Sequence, residues 1–189
     1  VGIEVPNKAR AQVRLRSLIE SENFQNSPSP LMLALGRDVS GNGIVADLSR
    51  MPHLLVAGAT GTGKTIGLNN IILSLLYRNS PYNLRLILVD PKRVEFPVYN
   101  DLPHLLTPVI LDTQRTINAL KWLIKEMERR FQVLSSFRVR DIKSYHAFVA
   151  EQIKKNPSLA GNEAEYESIP YIVVIIDELA DMMLLAARE

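Results

Sequence analysis

Gly58-Ala59-Thr60-Gly61-Thr62-Gly63-Lys64-Thr65 has the spacing G-x-x-x-x-G-K-[ST]. Each residue type has a physical reason to be there. Glycines let the backbone curl so that successive N–H groups point inward at anionic oxygens. A helix that starts at the lysine adds its own N–H groups and the positive end of its dipole. A lysine after the last glycine reaches β- and γ-phosphates, and the next hydroxyl, Thr65, can ligate Mg²⁺. The chemistry expected of Gly58 through Thr65 is therefore ATP binding with Mg²⁺. The alternative is a glycine-rich strand-to-helix turn.

A second constellation lies near the other end. Tyr171-Ile-Val-Val-Ile-Ile176 is a continuous apolar run, and Asp177-Glu178 follows it. A buried strand would deliver Asp177 to a sheet edge, where it can hold Mg²⁺ directly or through water. Glu178 points elsewhere and can accept the proton of an attacking water. Read without the upstream loop, the same pair is an acidic helix start, since Asp caps helices and Glu favours their first turn. Asp90-Pro91-Lys92 ends another apolar run. It is equally readable as a nucleotide-sensing edge or a plain turn.

The remaining charged residues are less specific. Arg129 and Arg130 lie in Glu126-Met-Glu-Arg-Arg130 and can be read as an arginine finger or as a solvated face with i,i+4 pairing. Arg138, Arg140 and Lys143 form a small basic cluster, suited to a phosphate backbone or to ordinary surface. With no cysteine and three scattered histidines, disulfides, thiolate nucleophiles and cysteine-based zinc sites are excluded. The net charge of +2 neither announces nor excludes a nucleic-acid partner.

The elements that must position these residues follow from periodicity. Residues 51–189 read as alternating strand and helix: an apolar run at His53–Ala57, a helix at Lys64–Arg78, strands at Leu84–Val89 and Tyr171–Ile176, and helices at Thr113–Ser136, Asp141–Lys155 and Glu178–Arg188. On the long helix the apolar positions are Ile117, Leu120, Ile124, Met127, Phe131 and Leu134. Asn156–Glu167 reads as a surface loop. Three apolar strands separated by helices imply an α/β fold with a parallel sheet. Residues 1–50 read as a small separate α+β segment: a strand at Gly2–Pro6, a helix at Lys8–Ser21, a breaker-rich loop from Glu22 to Pro30, and a hairpin of Leu31–Leu35 and Ile44–Ala46 around Ser40–Gly43. No run approaches the roughly 20 apolar residues of a membrane span. No signal peptide opens the chain, and Val1 at its start suggests a piece of a longer protein.

Pro52-His-Leu-Leu-Val-Ala-Gly-Ala-Thr-Gly-Thr-Gly-Lys-Thr65 resembles the phosphate-loop region of the FtsK/SpoIIIE DNA translocases. So do Leu88-Val-Asp-Pro-Lys92, Leu102-Pro-His-Leu-Leu-Thr-Pro-Val109, Glu126-Met-Glu-Arg-Arg-Phe131 and Val174-Ile-Ile-Asp-Glu-Leu-Ala-Asp-Met-Met183. Gly2-Ile-Glu-Val-Pro-Asn7 and Leu33-Ala-Leu-Gly-Arg-Asp-Val-Ser40 resemble the segment that precedes the motor. The resemblance implies a RecA-like P-loop NTPase core that hydrolyses ATP between the subunits of a homo-hexameric ring around double-stranded DNA. It implies pumping of chromosomal DNA during division or sporulation. The implied location is the bacterial cytoplasm, with any membrane tether in regions outside this chain. Lys64 and Thr65 would hold phosphates and Mg²⁺, Asp177 would support Mg²⁺, and Glu178 would be the general base. Thr62 and Thr65 stand where serine is common in the family, which keeps a hydroxyl at each. The family's motor continues beyond Walker B, and one of its later strands lies between the phosphate-loop strand and the Walker-B strand. The sheet here is therefore expected to be incomplete. A protein-moving relative from type VII secretion and a nucleotide-gated scaffold are the competing readings.

Overall fold

A computed structural model describes residues 12–59, 61–160 and 166–186. The strand expected at Gly2–Pro6 lies outside the described residues, as does Thr60. The chain divides into two compact units, Val1–Asn79 and Ser80–Glu189.

The first unit contains α1 (Leu15–Ile19), α2 (Glu22–Gln25), β1 (Met32–Arg37), β2 (Gly43–Asp47) and α3 (Lys64–Arg78). β1 and β2 form the expected antiparallel hairpin, with a bulge between Ala34 and Gly36. Its turn is closed by Asp38, whose carboxylate accepts from the Ser40 and Asn42 backbone N–H groups and from the Asn42 side chain. Leu18, Ile19, Phe24 and Ala34 form the core, with Leu15, Met32 and Val45 packed against it.

Two expectations change in this unit. The helix read over Lys8–Ser21 is described only at Leu15–Ile19, and the segment read as loop contains α2. The reason for α2 is Phe24, which is fully buried with the Arg78 guanidinium over its ring. A buried aromatic anchor outweighs the breakers that follow it. By their contacts the compact units divide at Asn79/Ser80. α3 belongs with the hairpin because Ser74 Oγ accepts from the Ala34 N–H and Arg78 donates to the Phe24 and Ser27 carbonyls.

The apolar run before the phosphate loop is not a strand. Leu54 and Leu55 are exposed, and no ladder forms at residues 52–57. An extended segment becomes a strand only by exchanging backbone hydrogen bonds with a neighbour. Among the described residues this run has no such neighbour.

The second unit contains β3 (Leu84–Val89), α4 (Thr113–Ser136), α5 (Ile142–Lys155), β4 (Tyr171–Ile176) and α6 (Leu179–Ala186). β3 and β4 pair in parallel, from Leu84↔Tyr171 to Val89↔Ile176. Single bridges Leu86↔Leu105 and Val89↔Ile110 flank β3. β3 is buried almost throughout, as a parallel strand covered on both faces should be. Asp112 caps α4 and Asp141 caps α5 through side-chain bonds to the Arg115 and Ser144 N–H groups. α4 meets the sheet through Ala119 and Leu123, beside Ile87, Val89, Ile110 and Met182. The stripe Leu120, Ile124, Met127, Phe131 is exposed. It lies one residue, about 100° of helical turn, from the packed positions.

Candidate nucleotide site

In the first unit the loop enters α3 with two glycines in the left-handed region, Gly61 at φ 78° and Gly63 at φ 99°. Only glycine adopts that region without strain. Gly63 is the N-cap of α3, and no side chain caps the helix. Thr62 folds back so that its N–H and hydroxyl both donate to the Ala59 carbonyl, at 3.1 and 2.6 Å. A Cβ on Gly58 would stand 2.5 Å from Thr62 Oγ1, while Cβ atoms on Gly61 or Gly63 would meet nothing within 4 Å. The loop is therefore open at Gly61 and Gly63, where it meets the start of a helix of 15 residues. Lys64 and Thr65 are half-buried at its mouth. Such a cradle fits the phosphates of a nucleotide.

In the second unit the parallel register brings Asp90 and Asp177 to the same edge of the sheet. The Asp177 N–H donates to the Val89 carbonyl at 3.0 Å, and the Asp90 N–H to the Ile110 carbonyl at 2.8 Å. Asp177 is buried, 7% exposed. Asp90 is fully buried, and its Oδ2 accepts from the Glu95 and Phe96 N–H groups at 2.8 and 3.0 Å, while its Oδ1 has no hydrogen-bond partner among the described residues. Glu178, partly exposed, lies 3.1 Å from the Lys92 ammonium. The hydrogen bond and charge of Glu178 raise the Lys92 ammonium above its usual value, and Asp181 and Asp177 add to the effect. α6 begins at Leu179, one residue later than the sequence suggested.

Among the described residues no three His, Asp or Glu side chains converge as a metal cage. Mg²⁺ is ordinarily held by one or two carboxylates together with substrate phosphates. Thr65 in the first unit and Asp177 in the second each carry an oxygen of the kind Mg²⁺ takes.

The arginines read as finger candidates are both engaged within the chain. Arg129 forms bonds of 2.7–2.8 Å to Glu126 and Glu167, and Arg130 bonds Glu126 and the Pro170 carbonyl at 2.7 Å each. They tie α4 to the segment leading into β4. Arg138, Arg140 and Lys143 are exposed around the α4–α5 turn. The Lys92–Glu178 contact was not legible beforehand. It depends on the β3–β4 register, and chain order alone does not say which strands are neighbours.

A glycine-rich loop opening a helix, and a parallel strand ending in Asp-Glu, are the marks of the P-loop α/β class. The profile of the FtsK/SpoIIIE family matches residues 14–189. DNA translocase FtsK of Campylobacter jejuni is 49% identical over 189 residues, which are 100% of this chain and 19% of that protein. DNA translocase FtsK of Helicobacter pylori is 49% identical over 100% of this chain and 21% of its own length. That of Haemophilus influenzae is 46% identical over 100% of this chain and 38% of its own. The chain thus spans well under half the length of these relatives. Among solved structures, the pCW3 conjugation coupling protein TcpA, a monomer with ATPγS, aligns with a TM-score of 0.61 at 28% identity, over 83% of this chain and 38% of its own. The cytoplasmic domain of the Thermomonospora curvata type VII secretion ATPase EccC aligns with a TM-score of 0.66 at 23% identity, over 94% of this chain and 20% of its own, and speaks for the fold alone. The chain belongs to the FtsK/SpoIIIE family.

Proposed function

We propose that this chain is the nucleotide-handling part of an ATP-driven motor that moves along double-stranded DNA and pumps chromosomal DNA during cell division or sporulation. The observation that carries the reading is the intact phosphate loop and Asp-Glu strand end in a chain 49% identical, over its whole length, to a DNA translocase. Residues 51–189 supply the ATPase part and residues 1–50 the segment ahead of it.

The roles follow from the groups. Backbone N–H groups from Gly58 to Gly63, with Ala59, Thr60 and Thr62 among them, line the phosphates. Lys64 would neutralise the β- and γ-oxygens, and the Thr65 hydroxyl and the Asp177 carboxylate would serve as donors to Mg²⁺. Bound Mg²⁺ supplies neutralisation of phosphate charge. Glu178 orients the attacking water and takes its proton. A homo-hexameric ring in the bacterial cytoplasm, tethered to the membrane by regions outside this chain, is the assembly that fits a translocase. Among the described residues no helix is long and apolar enough to cross a membrane.

The test is ATP hydrolysis by the full-length parent protein, with and without long double-stranded DNA, beside a Lys64→Ala control. Strong stimulation by DNA that vanishes in the control is expected. One rival reading is a motor that moves protein. Hydrolysis indifferent to DNA would support it, and no hydrolysis at all would leave a nucleotide-gated scaffold.

A further inference from the structure

The loop after β3 is built to hold one side chain in place. Asp90 is fully buried, and its Oδ2 pins the backbone of Glu95 and Phe96. Phe96 is fully buried as an anchor. The Arg93 N–H closes onto the Asp90 carbonyl at 3.1 Å, with Arg93 itself in the left-handed region at φ 61°. Lys92 stands at the tip of this closed loop. The in-register end of the sheet, Val89↔Ile176, fixes that tip relative to the residues after β4. Lys92 Nζ therefore meets Glu178 Oε2 at 3.1 Å across 86 residues of sequence.

We infer that Lys92 is a positioning residue for Glu178, selecting the rotamer from which its carboxylate works as the base. The inference rests on the role of Glu178 proposed above. A glutamate side chain has three torsions, and a general base needs its oxygen within hydrogen-bond reach of one water. An ion pair with a pinned loop removes most of the alternative rotamers before the reaction begins. As a half-exposed pair the contact adds little to stability, so its loss should show in turnover and not in folding.

The experiment uses the full-length parent protein and follows steady-state ATP hydrolysis with saturating double-stranded DNA. Lys92→Met and Lys92→Gln are compared with Lys92→Arg and Glu178→Gln. The expected result is a kcat about ten- to a hundredfold lower in Lys92→Met and Lys92→Gln, with KM for ATP within about twofold. Lys92→Arg should recover most of the loss, because a guanidinium can span the same gap. Parental kcat in Lys92→Met beside an inactive Glu178→Gln would overturn the inference alone. So would a loss carried equally by KM, or one that arginine does not rescue. Full turnover in Glu178→Gln would remove the base assignment and the inference with it.

Discussion

Gly58 is glycine because of Thr62. The Thr62 hydroxyl, bonded to the Ala59 carbonyl at 2.6 Å, occupies the space a Cβ on Gly58 would need. Gly58→Ala must break that bond or push the loop open. Gly61→Ala meets no neighbour and carries only the strain of a positive φ, about 1–2 kcal/mol. Both variants should bind ATP more weakly in the full-length protein, Gly58→Ala more so. The pair separates cause from effect. In Gly58→Ala/Thr62→Ala the colliding oxygen is gone, and the affinity should exceed that of Gly58→Ala alone. Titration with a fluorescent ATP analogue measures this, and equal or weaker binding by the double variant would refute the steric account.

Elements were legible where the apolar period and the tertiary partner agreed. α3 at Lys64–Arg78, β3 at Leu84–Val89, α4 at Thr113–Ser136 and β4 at Tyr171–Ile176 coincide with the ranges their periodicity marks. Where the partner decides, spacing misled. The run at 53–57 has strand composition and no ladder, and α2 forms among breakers because Phe24 has a pocket. On α4 the apolar stripe is not the face that packs on the sheet. Ala119 and Leu123 pack inward, while the apolar Leu120 and Ile124 beside them remain exposed. The motif residues could be named as candidates from their spacing, since local backbone chemistry fixes that pattern, but the Lys92–Glu178 contact awaited the strand register. Ser74 shows the same limit. It sits in an apolar helix, yet its fully buried hydroxyl donates to the Asn70 carbonyl at 2.6 Å and accepts from the Ala34 N–H at 3.1 Å. Ser74→Ala would leave a buried β1 donor unmatched and should cost about 1–3 kcal/mol. Urea denaturation of the parent and the variant gives the number, and a loss of a few tenths would mean that water replaces the hydroxyl.

At the scale of the whole molecule, two features govern how the chain behaves in solution. The first is the Glu126 network. The Arg129 hydrogen bond, aided by Arg130 and opposed by burial, brings the Glu126 carboxyl from 4.5 down to about 2. A depressed carboxyl stabilises the fold above its ordinary value, and that contribution is lost as pH falls from about 4.5 to about 2. The full shift corresponds to about 3 kcal/mol. Water at the half-exposed Arg129 and Glu167 reduces this to about 1–2 kcal/mol. Glu126→Gln should therefore be less stable than the parent at pH 7, with the gap closing as pH falls from about 4.5 toward about 2. A gap that stays constant with pH would place the effect in packing and not in charge.

The second feature is exposed apolar surface. Leu120, Ile124, Met127 and Phe131 form a continuous stripe on α4, and Leu54 and Leu55 are bare on a segment with strand composition. Among the described residues β4 is paired on one edge only. Unpaired edges and apolar stripes are where chains associate. Residues 1–189 expressed alone should self-associate, with an apparent mass in light scattering that rises with concentration. Ile124→Glu with Phe131→Glu places two charges on the stripe, without touching Ala119 or Leu123 on the packed face, and should raise the monomer fraction. The comparison separates the two surfaces. If the substituted chain still associates as strongly, the strand edges are responsible. If the parent chain is already a monomer at every concentration, neither surface is as adhesive as its exposure implies.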